Sequence, residues 1–270
     1  MKDLRGKIAL VTGAAMGMGR SLSEDFLREG CAVALVDVNG PALAEAQAEL
    51  AKTGRCAAFV CDISNREAVY ELARRVEKEF GPVDILVNNA GIVKARELLD
   101  LSDDDIEKTI RINLTAQFWT CKAFLPSMIQ RGGGHIVNFA SAGGILSLPN
   151  LSAYCASKFG VVGFSDSLRQ EMKKHQYNIG VTYVCPNTVN TGMFEGSKMV
   201  AGTRMLSASD VTKKVIRAVK RNQAMVAVPD FPVKILTPLT KVLLPIRAMD
   251  WLNKIMGMAT CNDSWRGRSC

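Results

Sequence analysis

The sequence predicts a three-layer α/β fold, in which a parallel, doubly wound, seven-stranded sheet carries helices on both faces. Three observations predict it. Near-continuous apolar segments alternate with helical patterns, as parallel strands covered on both faces require. A glycine-rich turn, Thr12-Gly13-Ala14-Ala15-Met16-Gly17-Met18-Gly19, follows the first of these segments, and an acidic residue, Asp37, closes the second.

The first strand is read at Lys7-Ile8-Ala9-Leu10-Val11, and the helix after the glycine-rich turn runs to about Gly30. A second strand spans Cys31 to Val36. Pro41, favourable in a first helical turn, opens a helix that reaches Thr53-Gly54. Strand Cys56 to Cys61 precedes a helix capped by Ser64, with Glu67 three residues on. After strand Val83 to Val87 comes a long helix. Ser102 is its N-cap, Asp103, Asp104 and Asp105 lie where the helix dipole favours acids, and it extends to about Arg131. Strand His135 to Phe139, a helix bearing Tyr154, strand Ile179 to Val184, a helix from Ser207 to Arg221 and strand Met225 to Val228 complete one domain, residues 1–229.

Composition narrows the function. Of 270 residues, 48% are hydrophobic and 22% charged, the balance of a globular protein with a large core. The eight cysteines show no C-x-x-C pair and fall mostly in apolar segments, which fits a reducing cytoplasm and neither a metal site nor a disulfide framework. Lys2, Asp3, Arg5 and Lys7 break any leader-like apolar run before the first strand. His135 and His175 are the only histidines, so both are expected to be structural. The net charge of +8 is local: Val211 onward holds eleven basic and three acidic residues, against 23 of each before it. A nucleic-acid footprint spread over the fold is therefore not expected.

In such sheets ligands bind beyond the carboxyl ends of the strands, where strand order switches. The glycines of the first turn allow backbone to approach a pyrophosphate, whose charge the following helix N-terminus stabilises. A carboxylate at Asp37 accepts ribose hydroxyls and repels a 2′-phosphate, and neither Met16 nor Val38 supplies a cation to hold one. NAD is thus expected over NADP. Tyr154 and Lys158, four apart on a helix, share one face. A phenol has an ordinary pKa of about 10, and a nearby ammonium lowers it, which makes the tyrosine a usable acid and base. Ser141, at a neighbouring strand end, can hold a substrate oxygen beside it.

The ordered set T-G-x-x-x-G-x-G at 12–19, Asn88-Asn89-Ala90-Gly91, Asn113, Ser141 and Tyr154-x-x-x-Lys158 resembles the short-chain dehydrogenase/reductase family over roughly residues 5–230. The resemblance implies a Rossmann fold binding NAD and a homodimer or homotetramer built through the Ser102 and Tyr154 helices. By the same resemblance Tyr154 exchanges the substrate proton, Lys158 lowers its pKa and bonds the nicotinamide ribose, Ser141 orients the substrate oxygen, and Asn113 holds a water in a relay to Lys158. Gly13, Met16, Gly17, Met18, Gly19 and Asp37 take the pyrophosphate and adenosine. Asp62 and Ile63 meet the adenine, Asn89 and Gly91 line the ribose side, and Pro186, Val189 and Thr191 hold the carboxamide. Asn187 departs from the family's usual glycine; asparagine tolerates left-handed backbone, so a small local change is expected.

The flanking segments are apolar: Ile145, Leu146, Leu148, Pro149 and Leu151 after Ser141, and Met193, Phe194, Met199, Val200, Met205 and Leu206 after Thr191. Flexible methionines suit an adaptable pocket. The expected substrate is a small lipophilic secondary alcohol or ketone, hydroxysteroid-like, with retinol and long-chain alcohols also fitting. The alternatives are a 3-oxoacyl-thioester reductase and a catalytically idle NAD-binding scaffold. Residues 230–270 form a basic, apolar extension interrupted by Pro232, Pro238 and Pro245, which argue against a spanning helix. Two short helices are expected there, Lys234 to Leu243 and Ile246 to Met258. Three roles fit them: peripheral membrane contact, cover for the substrate pocket, or packing on another subunit. A similar extension occurs in the family's steroid- and retinol-oxidising branch.

Overall fold

The computed structural model describes residues 1–200, 203–231 and 233–267; Pro232 lies outside them. Seven strands form one sheet: β1 Ile8–Thr12, β2 Ala32–Asp37, β3 Cys56–Val60, β4 Ile85–Asn88, β5 Gly134–Phe139, β6 Ile179–Pro186 and β7 Met225–Val228. Their order is β3-β2-β1-β4-β5-β6-β7, with every pairing parallel. The chain winds outward from β1 in one direction, then returns to β4 on its other side. The switch point therefore lies between β1 and β4, above Thr12 and Asn88.

Alternating side chains feed two cores. Ala9, Val11, Ile85 and Val87 face one side, with Leu22 and Phe26 of α1 (Gly17–Arg28), Leu43 of α2 (Gly40–Leu50) and Val215 and Val219 of α7 (Ala208–Arg221). Leu10, Leu86 and Ile136 face the other. There they meet Leu72 of α3 (Arg66–Glu79), Phe124 of α5 (Ala116–Gln130) and Leu168 of α6 (Ser152–Lys174). A strand buried on both faces has no polar positions to spare, which is why these segments read as continuous apolar runs.

Several boundaries differ from expectation. The side chain of Asn65, not Ser64, caps α3 by accepting from the Ala68 amide at 2.9 Å, while the Ser64 amide donates to Asp62. Asparagine caps as well as serine, and the Asp62 turn displaces the helix start by one residue. Asn39 caps α2 two residues before Pro41, and the helix stops at Leu50. The expected long helix is three pieces: α4 (Asp103–Ile110), a π-turn at Arg111–Thr115, then α5. The π-turn carries Asn113 and shifts its side chain off the regular helical register. In the C-terminal segment, α8 (Leu236–Leu243) and α9 (Ile246–Ile255) pack on each other. No helix among the described residues is long and apolar enough to cross a membrane.

Candidate active site

At the switch point, Gly13 sits at φ +69°, in the left-handed region, and a Cβ on Gly19 would lie 2.0 Å from the Gly13 carbonyl oxygen. Only glycine fits there. Helix α1 begins without a side-chain cap, so its first N–H groups face the cleft as donors suited to a phosphate. Thr12 fixes the neighbouring turn: its hydroxyl oxygen accepts from the amides of Asn89 at 3.0 Å and Ala90 at 3.1 Å. Asp37 Oδ2 accepts from the Ala15 amide at 3.1 Å and Oδ1 from the Asn39 amide at 3.0 Å, which pins the carboxylate at the rim. Each oxygen retains a lone pair.

Gly13, Met16, Gly17, Met18, Asp37, Asn39, Asp62, Ile63, Asn89, Ala90 and Gly91 line one cleft; Thr12, Ala15 and Gly19 are not in its lining. A second, holding Ser141, Tyr154, Lys158, Pro186 and Val189, shares Met18, Asn89, Gly91, Thr191 and Met193 with it. The two are one continuous groove. Asn89 Oδ1 is buried within it without a hydrogen-bond partner among the described residues. That orphaned acceptor, the Gly13–Gly19 cradle and the Asp37 rim fit an adenine dinucleotide carrying a free ribose 2′-hydroxyl.

Tyr154 is buried and stacks edge-on against Phe194, with ring centres 5.8 Å apart. Lys158 is buried one turn on, its Nζ donating to the Phe139 carbonyl at 2.8 Å and standing 5.7 Å from the Tyr154 ring centre. Burial pushes the phenol up to about 12, and hydrogen bonding with Ser141 opposes this only in part. Burial also pushes the Lys158 ammonium down to about 8. The sequence-level expectation that lysine lowers the phenol's pKa is therefore not what dominates here, because desolvation disfavours both charged forms.

Asn113 is fully buried. Its side chain accepts from the Ile92 amide at 2.8 Å and donates to the Ile92 carbonyl at 2.9 Å and to Ser157 Oγ at 3.1 Å. Ser157 Oγ in turn donates to the Tyr154 carbonyl at 2.6 Å. Sequence reasoning missed this bridge, and also Gln117, whose amide donates to the Asn113 main-chain carbonyl at 2.9 Å. A polar ladder beneath the site was missed too: Thr120 donates to Asn88, Asn88 to Asn138, and Asn138 to Ser165. Its signal was available in Asn88, the last residue of β4, and Asn138, next to last in β5, which are paired in register.

Asn187 is not among the non-glycine residues with positive φ, which in the described chain are Asn150, Gln176 and Asn222. Its tolerance of left-handed backbone is unused; instead its side chain accepts from the Thr188 amide at 2.9 Å. Of the apolar residues expected around the substrate, Leu146, Leu148, Leu151, Met193, Phe194 and Val200 line the cleft. Ile145, Pro149, Met199, Met205 and Leu206 do not. Leu206 belongs to the core through its bridge to Val189, and Ile145 packs beside Val161 and Val233.

The far wall comes from the C-terminal segment, through Met256, Met258, Cys261 and Asn262. A strap after α9 stitches the two substrate loops together: on the Ser141 side the Asn262 side chain donates to the Pro149 carbonyl at 3.4 Å and Asn150 to Asp263 at 3.1 Å. The Lys198 amide donates to the Cys261 carbonyl at 2.7 Å, the Arg266 amide to the Glu195 carbonyl at 2.9 Å, and Trp265 Nε1 to the Met193 carbonyl at 3.1 Å.

His135 lies far from this site, as expected. Its Nε2 is 2.8 Å from Thr182 Oγ1, which donates to the Gln223 carbonyl, so Nε2 is the protonated nitrogen. The seven described cysteines are free thiols.

The short chain dehydrogenase family matches residues 7–199. This chain belongs to that family. The protein is 39% identical over 272 residues to epidermal retinol dehydrogenase 2 of Mus musculus, covering 99% of this chain and 87% of that one. It is 40% identical over 244 residues to estradiol 17-beta-dehydrogenase 11 of Homo sapiens, covering 90% and 81%. Among solved structures, a short chain dehydrogenase/reductase from Burkholderia phymatum in complex with NAD superposes with a TM-score of 0.82. It is 26% identical, over 93% of this chain and 97% of that one. As a short chain dehydrogenase the protein is an oxidoreductase acting between alcohols and carbonyl compounds.

Proposed function

We propose that the protein is an NAD-dependent dehydrogenase interconverting a lipophilic secondary alcohol and its ketone, with Tyr154 as the general acid and base. The observation that carries this is the single groove running from the Gly13–Gly19 cradle and Asp37 to Tyr154 and on into an apolar wall. NAD supplies the hydride acceptor in oxidation and, once reduced, the donor in reduction. The chain's residues do the rest. Gly13, Met16, Gly17, Met18 and Gly19 cradle the pyrophosphate, and Asp37 takes the ribose hydroxyls. Asp62 and Ile63 border the adenine, Asn89 and Gly91 the ribose, and Pro186, Val189 and Thr191 the carboxamide.

Ser141 orients the substrate oxygen toward the Tyr154 hydroxyl, which moves the proton. Lys158 bonds the nicotinamide ribose, and Asn113 holds a water in a proton relay to Lys158; the bonds to Ile92 and Ser157 that fix its side chain support this role. A phenol pushed up to about 12 is protonated at neutral pH, the form that donates to a ketone. Oxidation requires the phenolate, so its rate should climb as pH rises from neutral toward 12, while reduction, which uses the phenol already present, should stay level until pH nears 12. Parallel slopes in both directions would count against Tyr154 as the proton carrier.

The relatives named for retinol and estradiol support a substrate of that lipophilic class. We infer further that the protein works in the cytoplasm and meets membranes peripherally through residues 230–270. A homodimer or homotetramer through α5 and α6 is supported by the Phe118 and Phe164 rings, which lie 3.9 Å apart with Phe118 exposed.

The test is NADH formation by purified protein against hydroxysteroids, retinol, long-chain secondary alcohols and 3-hydroxyacyl thioesters, repeated with NADP. Turnover of a lipophilic alcohol with NAD is expected. Activity confined to thioesters, or silence with NAD binding intact, would overturn the substrate reading or the enzymatic one respectively.

A further inference from the structure

The substrate cleft is walled largely by apolar side chains, yet its far wall carries a buried amide. Asn262, on the strap after α9, lines the cleft and is only 5% exposed. Its Oδ1 accepts from Ser197 Oγ at 3.1 Å, and its Nδ2 donates to the Pro149 carbonyl at 3.4 Å. Turned the other way, the amide would set its oxygen against the Pro149 carbonyl, two acceptors face to face. The two partners therefore fix which way the amide points.

This hydrogen bonding is incomplete. An amide nitrogen carries two hydrogens, and Asn262 commits one of them, to a long bond. The other has no acceptor among the described residues. Ser197 Oγ, having donated its proton, still has lone pairs to offer. A free donor and a free acceptor thus stand side by side in a buried wall, where an unpaired polar group is costly. The backbone holds them in place: the Asn262 carbonyl accepts from the Trp265 amide at 3.1 Å, and the Cys261 carbonyl from the Lys198 amide at 2.7 Å.

Other polar side chains of the cleft are already engaged or exposed. Ser141, Tyr154 and Lys158 stand at the reacting end. Thr203 Oγ1 donates to the Val200 carbonyl at 2.7 Å, and Lys198 is exposed. The hydrocarbon between the two ends meets Leu148, Leu151, Met193 and Phe194. Pockets of this kind fix a ligand's orientation through a few placed polar groups in an apolar lining.

We propose that the substrate carries a second oxygen, remote from the reacting alcohol, and that Asn262 donates to it. Ser197 accepts from that oxygen when it is a hydroxyl rather than a ketone. The proposal rests on the lipophilic alcohol reading above and narrows it. A steroid with oxygens at both ends of its ring system completes the amide. Retinol or a simple long-chain alcohol, with its single oxygen, leaves the amide unpaired.

The experiment measures kcat/KM for NAD-dependent oxidation by the full chain, using matched steroid pairs. Each pair is an androstane with one hydroxyl, on the A ring or on the D ring, and the same skeleton with a ketone added on the opposite ring. In the pair whose hydroxyl reacts at Tyr154, the second oxygen should raise kcat/KM by about tenfold. Asn262→Leu keeps the side-chain volume and removes the hydrogen bonds. It should bring the ratio within that pair close to one, chiefly through KM. A role confined to holding the strap would lower both members together and leave the ratio unchanged. Asn262→Ala is the second variant should the first fail to fold.

Equal kcat/KM within every pair, or a preference that survives substitution of Asn262, overturns the proposal and leaves the lipophilic alcohol reading standing. No turnover of any member with NAD bound contradicts that reading itself, and the proposal falls with it.

Discussion

The dinucleotide side of the groove is backbone folded over short spans of chain, whereas the substrate side is made of side chains gathered from residues 146 to 262. On the first side, position is set by the ends of β1, β2 and β4 and by glycines that leave no room for a Cβ. On the second, Leu146, Met193, Phe194 and Met258 are brought together by loops and a strap that cross the sheet's end. The first side holds a fixed, charged ligand shape by rigid geometry. The second can change its lining without disturbing the fold. The comparison predicts that substitutions on the two sides fail differently.

The largest effect is expected on the rigid side. Gly19→Ala places a Cβ 2.0 Å from the Gly13 carbonyl oxygen and 2.7 Å from the side-chain nitrogen Nδ2 of Asn89, which itself holds the turn. NAD binding by calorimetry should be lost. Near-normal affinity would show that the cradle is softer than the backbone geometry implies. Asp37→Ser should alter selectivity rather than abolish binding, because only the charge and its hydrogen bonds are removed. A loss of about 1.5–3 kcal/mol for NAD should relax the preference over NADP by roughly ten- to a hundredfold. An unchanged cofactor ratio would remove Asp37 from that role.

The substrate side should respond more mildly. Gly196 sits at φ +83°, and a Cβ there would meet the Ser264 carbonyl oxygen at 2.2 Å, so Gly196→Ala should push the strap away from its loop. Strain of this kind costs about 1–3 kcal/mol, enough to raise KM for the apolar substrate by about fivefold or more. NAD affinity should stay as it was. A shift in NAD affinity of equal size would mean that the two sides are mechanically one.

This difference also explains what could be read in the sequence. The glycine turn, Asp37, Asn89 and the Tyr154–Lys158 pair are local patterns, with spacing dictated by one turn or one helix, and the structure brings them into one groove. Alternation of apolar strands and helices was enough for the parallel sheet and its order of elements. The strap was not legible, because Trp265 reaches Met193 across 72 residues of chain and no local pattern announces such a contact. Nor was the π-turn at Asn113, since its residues, RINLT, read as ordinary helix and the register shift depends on the Ile92 and Ser157 partners. The balance of effects on the phenol's pKa is hidden for a similar reason. Sequence spacing shows that an ammonium is near, but not that both groups lie deep enough for burial to outweigh it.

The most direct test of the central claim, that Tyr154 moves the proton in a groove that binds NAD independently of it, is Tyr154→Phe measured for turnover and for NAD affinity side by side. The phenylalanine keeps the ring packed against Phe194 and removes only the hydroxyl. Turnover should fall by about 10²–10⁴-fold with NAD affinity unchanged. Near-normal turnover, or a matching loss of NAD affinity, would contradict it.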